Sequence, residues 1–246
     1  MEIQKRQQQQ KLSSSGLSYN AAIIVAAGSS LRFGEDKLMA LVQDRPLITY
    51  SLRTFAAIPS MEEIILVVAT GREESFSQLV KEMNLADWNE KIKIVPGGKD
   101  RHESVQHGLH ALSEGVEWIA IHDGARPLIS GSMIELTFQK AHEHGAAALA
   151  TRVTETLHRV DKKFLADITV DRTDLWSMQT PQVFRKADLI GLPALQENQS
   201  PTDEVSALLQ RGIKTYLVEN REPNIKVTYP EDLKLVTAYL STFHKP

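Results

Sequence analysis

The sequence predicts an α/β domain: a mostly parallel sheet with helices on both faces and one inserted β-hairpin arm. Three observations carry this reading. Ile23 to Val25, and again Ile64 to Ala69, are unbroken apolar runs of the kind found in strands buried on both faces. Between such runs lie stretches with apolar residues at helical spacing. Three of the runs end in loops of glycine and charged residues, Ala26 to Lys37, Pro96 to Ser104 and His122 to Pro127. A parallel sheet places its ligands there, beyond the carboxyl ends of the strands.

After the first strand, Ile48, Leu52 and Phe55 recur at helical spacing behind Pro46, giving a helix that packs on that strand. Ile64 to Ala69 is the second strand, Phe76, Leu79, Val80 and Met83 mark the next helix, and Lys91 to Val95 forms a third strand. A helix starting near Arg101 carries Val105, Leu109 and Leu112 on one face. Trp118 to Ile121 is a fourth strand, Met133 to His144 a helix, and Ala146 to Ala150 a fifth strand of small residues. From Thr151 to about Thr173 polar and apolar residues mix, and Asp161, Lys162 and Lys163 suit a turn. This segment reads as a hairpin whose open edges invite pairing with a second copy of the chain. Helices are expected over Ala187 to Leu195 and after Pro201, where Thr202, Asp203 and Glu204 suit a helix N-terminus. Ile213 to Val218 is a late strand, and Pro230 opens a final helix through about Leu240. The whole is one Rossmann-like domain over residues 21–242 with an arm at about 151–173. Residues 1–20, with four consecutive glutamines and a serine run, read as a disordered extension or an expression remnant.

At 246 residues, 42% hydrophobic and 24% charged, the composition is that of an ordinary globular protein. A formal net charge of −3 disfavours nucleic acid as partner. The absence of cysteine removes disulfides, zinc–thiolate sites and a cysteine nucleophile, and is compatible with a reducing cytoplasm. The apolar runs fall well short of the ~20 residues needed to span a membrane.

The chemistry-bearing residues sit in the three loops. Ala26, Ala27, Gly28, Ser29 and Ser30 leave backbone N–H groups bare for an anion, and Arg32 and Lys37 follow with positive charge. An ordinary turn with two solvated basic residues is the competing reading. The loop fits neither a P-loop nor the GxGxxG fingerprint; its cations can neutralise a triphosphate and the charge that grows at a phosphorus under attack, as nucleotidyl transfer requires. In GGKDRHES, Gly98 and Ser104 can meet a base edge, while Asp100 as a plain helix cap is the alternative. In HDGARP, Asp123 can hold Mg²⁺ or a sugar hydroxyl and Arg126 a phosphate, or the two can simply pair. His122 reads as a hydrogen-bonded structural histidine, and neither His107 with His110 nor His142 with His144 completes a metal site. Thr180 in TPQ, Thr202 in TDE and Lys226 in NIKVT are further polar candidates, with a helix cap at Thr202 and a solvated charge at Lys226 as the plainer readings.

Taken in order, AAGSSLRFGEDK, GGKDRHESV, HDGARP, VDR, TPQ, TDE and NIKVT resemble the 2-C-methyl-D-erythritol 4-phosphate cytidylyltransferase family of the non-mevalonate isoprenoid pathway, over roughly Ala21 to Leu240. The resemblance implies transfer of CMP from CTP to methylerythritol phosphate with release of pyrophosphate, and a requirement for Mg²⁺. It implies that Ala26, Ala27, Gly28, Gly98 and Ser104 line the cytidine pocket. Arg32, Lys37 and Lys226 would serve the triphosphate and the transition state, and Asp123, Arg126, Thr180 and Thr202 would face the second substrate. It further implies a homodimer whose arms exchange, so that Thr156 and Arg172 reach the partner's substrate phosphate. Three positions depart from the family's usual pattern: Ser30 and Gly124 stand where glycine and alanine are frequent, and Lys99 replaces an aspartate, which leaves base recognition to backbone carbonyls. The rival readings are a ribitol 5-phosphate cytidylyltransferase, and a nucleotide-binding module that senses CTP without turning it over.

Overall fold

The computed structural model describes residues 19–28, 33, 36–84, 90–190 and 203–243. β1 (Asn20–Ala26) is solvent-free at Ala21 to Ile24 because a strand flanks it on each side and helices cover each face. There follow the short pair β2 (Leu41–Val42) and β3 (Arg45–Pro46), α1 (Ile48–Ala56), β4 (Met61–Val68), α2 (Glu73–Glu82), β5 (Ile92–Pro96) and α3 (Arg101–Ala111). Next come β6 (Trp118–Asp123), α4 (Gly131–His144), β7 (Ala146–Arg152), β8 (Leu157–Val160), β9 (Ala166–Val170) and β10 (Trp176–Arg185). The chain closes with α5 (Lys186–Leu189), α6 (Glu204–Leu209), β11 (Tyr216–Glu219) and α7 (Pro230–Phe243).

Seven strands form one sheet in the order β11-β7-β10-β6-β1-β4-β5. β1 pairs in parallel with β4 and β6, β4 with β5, and β7 with β11. β10 runs the other way, antiparallel to both β6 and β7. Side chains alternate across the sheet, so Ala22, Ile24, Ile64 and Leu66 share one core with Leu52, Phe55 and Phe138, while Ala21, Ile23, Ile65 and Val67 share the other with Val105, Leu109 and Leu208. Both faces are thereby covered, as expected. No helix among the described residues is long and apolar enough to cross a membrane.

Sequence reasoning missed β10, as well as the short pair β2 and β3. Pro181 argues against a central strand, since it cannot donate to a ladder. The chain solves this by interrupting the ladder: β10 advances from Met178 to Gln182 while β7 advances only from Ala150 to Ala148. Pro181 falls in that irregular stretch. Two expectations are trimmed. The helix read over Ala187 to Leu195 is α5, Lys186–Leu189, with residues 191–200 outside the described set. The cap of α6 is the Asp203 carboxylate, which accepts from Ser206 N at 2.9 Å, and not Thr202, which lies outside the described residues.

The hairpin of β8 and β9 forms its own two-stranded sheet. Its turn falls where expected, with Asp161 Oδ1 accepting from Lys163 N at 2.8 Å and Leu165 N at 3.0 Å. Phe164 at its tip has φ of 62° and is 87% exposed.

α3 is held hard against the sheet at Gly108, where an added Cβ would stand 2.7 Å from Ile23 Cγ2 and 3.2 Å from Val67 Cγ2. Gly108→Ala is expected to lower stability by ~1–3 kcal/mol through overpacking, read as a lower urea midpoint; an unchanged midpoint would mean that the helix sits loosely on the strands.

Candidate active site

Because β1, β4, β5 and β6 are parallel, their carboxyl ends lie at one edge, and the loops that follow β1, β5 and β6 meet there. They enclose a cavity of about 530 Å³ whose walls include Ala26, Ala27, Gly28, Gly98, Ser104, Asp123, Lys37 and Lys226. The first two loops touch because Gly97 has no side chain: a Cβ there would be 2.3 Å from Ala27 Cβ. Ser104 Oγ accepts from Gly98 N at 3.1 Å and donates to Asp100 O at 2.7 Å, so one lone pair is left for a ligand donor. Asp100 is the helix cap considered above, accepting from Glu103 N at 2.8 Å. Lys99 lines the cavity, its N–H taken by Glu103 Oε2 at 2.8 Å.

Asp123 ends β6, is 8% exposed, and meets three cations. Lys226 Nζ lies 2.8 Å from Oδ2, Arg101 Nε 3.4 Å from Oδ1 and Arg126 Nε 3.6 Å from Oδ2. Burial opposes its charge, but the field of Lys226, Arg101 and Arg126 prevails and holds the carboxyl well below the usual carboxylate range. Arg126 pairs with Asp123 and also donates from Nη1 to Asn224 O at 2.8 Å. Lys37 donates from Nζ to Val227 O at 3.0 Å, and Val227 N donates to Ala125 O at 2.8 Å, so the loop that carries Lys226 is tied to the first and third loops.

Thr180, expected at the substrate, has its hydroxyl turned inward. It accepts from Asp123 N at 3.1 Å and donates to His122 Nδ1 at 3.1 Å, while His122 Nε2 donates to Arg126 O at 3.3 Å. Thr180 is 3% exposed, yet it borders a second recess of about 170 Å³ beside Asp123, shared with Arg101, Arg126, Gln179, Gln182 and Lys226. Complete burial lowers the His122 pKa to about 3, which fixes it as a neutral hydrogen-bonding ring, as the sequence suggested.

Arg32 and Thr202 lie outside the described residues. Thr156 and Arg172 are exposed on the arm and do not join the cavity walls of their own chain; Arg172 Nη1 donates to Thr154 O. Among the described residues no group of three or more metal-ligating side chains exists, so Asp123 is a single carboxylate beside cations rather than a member of a protein metal cage.

Arg101 was missed, and it joins the two halves of the site. Its Nη1 lies 2.6 Å from Glu204 Oε1 and 2.9 Å from Oε2, while its Nε faces Asp123. Burial works against its charge, and Glu204 and Asp123 more than offset this, raising its pKa further. The usable signal was its place as the first residue of a helix, where a cation opposes the macrodipole and so needs a partner.

Sheet, loops and clustered cations place the chain among the α/β nucleotide-binding enzymes. Comparison with known proteins narrows this. A family model for 2-C-methyl-D-erythritol 4-phosphate cytidylyltransferase matches residues 20–242, and the chain belongs to that family. The protein of that description from Clostridium botulinum is 36% identical over 223 residues, which is 89% of this chain and 96% of the relative. The one from Caldanaerobacter subterraneus is 37% identical over 225 residues, 89% of this chain and 98% of its own. Among solved structures, the 4-diphosphocytidyl-2C-methyl-D-erythritol synthase of Anaerococcus prevotii matches with a TM-score of 0.77 at 28% identity, covering 91% of this chain and 99% of that one.

His122 has a consequence for stability. The unfolded chain takes up its proton near 6.5, whereas the folded chain resists protonation until about 3, so the stabilisation is complete above the first value and is lost as pH falls between the two. Urea unfolding from pH 7 to pH 4 is expected to show a slope for wild type that exceeds that of His122→Asn by about one proton, ~1.4 kcal/mol per pH unit. Equal slopes would mean that the imidazole is charged or solvated in the fold.

Proposed function

We propose that this chain transfers CMP from CTP to 2-C-methyl-D-erythritol 4-phosphate, forming 4-diphosphocytidyl-2-C-methyl-D-erythritol and pyrophosphate. The observation that supports it best is the junction at Asp123, where a loop-lined cavity and a smaller recess share Arg101, Asp123 and Lys226 as a common wall. CTP occupies the cavity, with Ala26, Ala27, Gly28, Gly98 and Ser104 at the cytidine end and Arg32 and Lys37 at the triphosphate. The acceptor lies in the recess, served by Asp123, Arg126 and Thr202, with Thr180 setting the Asp123 and His122 geometry beneath it. An acceptor phosphate oxygen attacks the α-phosphorus, the bond to the β-phosphate oxygen breaks, and pyrophosphate leaves. The nucleophile is already an anion, so no general base is needed. The difficulty is bringing two anions together, and Arg32, Lys37 and Lys226 relieve it.

Mg²⁺ fits this site as an ion carried mainly on phosphate oxygens, which needs only one or two protein carboxylates; Asp123 is the residue that would hold it, through the oxygen that the half-exposed Lys226 would vacate on turning to the phosphates. When bound, the ion supplies neutralisation of charge on the phosphates. The proposed assembly is a homodimer through the arm, supported by the exposed apolar side chains of Val160, Phe164, Leu165 and Ile168. In it, Thr156 and Arg172 serve the partner's acceptor phosphate. The proposed setting is the cytoplasm, where CTP is at hand.

The deciding assay follows pyrophosphate from CTP and Mg²⁺ with 2-C-methyl-D-erythritol 4-phosphate or ribitol 5-phosphate. Turnover with the first and little with the second is expected; the reverse preference, or CTP binding with no pyrophosphate, would overturn the assignment. In the same assay Lys37→Ala should keep the fold and lose at least ~10²-fold in turnover, and near-normal turnover would remove Lys37 from the machinery. Arg172→Ala should raise KM for the phosphosugar ~10-fold or more while leaving KM for CTP nearly unchanged. Equal effects on both substrates would count against the arm.

A further inference from the structure

Gln182, beside the recess at Asp123, carries a buried acceptor atom with no hydrogen-bond partner among the described residues. Gln182, on β10 just past the ladder break, is 1% exposed and borders the recess. Its orientation is fixed by two oxygens: Nε2 donates to Asp203 Oδ2 at 2.8 Å and lies 3.4 Å from Gln179 O. A flipped amide would set its oxygen against both of them. Asp203 is itself immobilised, its Oδ1 accepting from Ser206 N at 2.9 Å and Ser206 Oγ at 2.6 Å. Oε1 of Gln182 therefore has a set direction, and it is buried with no hydrogen-bond partner among the described residues.

A buried carbonyl oxygen without a donor is unfavourable unless a ligand completes it. The surroundings say which donor. Arg101, Arg126 and Lys226 border the same recess and suit the phosphate of an acceptor, whereas Oε1, itself an acceptor, cannot bind a phosphate oxygen and takes an N–H or O–H, which a sugar-alcohol phosphate offers as a hydroxyl. We propose that Gln182 is a specificity-determining residue for the acceptor, its Oε1 receiving a hydroxyl of the sugar-alcohol phosphate bound in this recess. The inference rests on the cytidylyltransferase reading above and extends it to a residue outside the nucleotide cavity. It also gives Asp203 a second task, since the carboxylate that caps α6 orients the amide that reads the hydroxyl.

The test uses the full-length enzyme with CTP and Mg²⁺, and compares wild type with Gln182→Met on 2-C-methyl-D-erythritol 4-phosphate and on analogues lacking each hydroxyl in turn. The variant is expected to raise KM for the acceptor ~10- to 100-fold with KM for CTP within ~2-fold, the usual consequence of stranding one polar partner. One deoxy analogue should be penalised by a similar factor in wild type and not in the variant, because the two changes remove the same contact. The wild-type series needs no variant to fold: if wild type penalises no analogue by more than ~2-fold, the inference falls. It falls alone if wild type is active and Gln182→Met keeps both its acceptor KM and the full discrimination. Absence of pyrophosphate from wild type with every phosphosugar would overturn this inference and the functional reading together.

Discussion

Both oxygens of Asp123 face cations delivered by separate stretches of chain: Lys226 from the loop before α7, Arg101 from the first turn of α3, and Arg126 from the loop after β6. Much of the polar architecture depends on this convergence. Three positive groups gathered at a sheet edge would repel one another and lose hydration. One carboxylate in their midst makes the gathering stable before any anion arrives. Removing one partner of such a buried cluster is far costlier than its net worth suggests, because the remaining charges stay desolvated and unopposed. The backbone N–H of Asp123 is in turn pinned by Thr180, and Thr180 by His122. A neutral ring and a hydroxyl therefore set the direction of a charge.

The same arrangement is preorganised for phosphate chemistry. Electrostatic catalysis works when the dipoles and charges are already aimed at the place where charge develops. Here the cations are held at a carboxylate and can turn toward phosphate oxygens without a large rearrangement. Lys226, whose side chain is 44% exposed, has the most freedom to do so, whereas Arg126 is tied at Asn224 O as well.

The parallel half of the sheet was legible in the sequence because its strands are fully apolar and its helices carry clear stripes. Leu52 and Phe55 could be assigned to the core from spacing and Ile64 from its unbroken apolar run, and all three are solvent-free. The three loops were legible for a related reason, since glycine and charge at the end of a buried strand have few other uses. Gln182, Arg101 and Asn224 were not. Each acts through a contact with a residue far away in sequence: nothing local marks a glutamine whose partner is Asp203, and the place of Arg101 at a helix start says that it needs a partner without saying that Asp123 and Glu204 supply it. β10 was hidden because Pro181 speaks against a strand, and only the jump in register shows how the fold accommodates it.

That antiparallel strand also orders events in time. β7 reaches the body of the sheet only through β10, which lies between it and β6, and the arm separates the two in the chain. While the chain emerges from a ribosome, β1, β4, β5 and β6 can pair early, since their partners are already present. β6 meanwhile keeps a bare edge until Trp176–Arg185 has been made. The nucleotide side of the molecule is thus assembled from early, mostly parallel contacts, and the acceptor side waits for a late strand to be threaded between two others. A nascent chain stalled within the arm would display an unpaired hydrophobic edge, the kind of surface that chaperones recognise and that aggregation exploits.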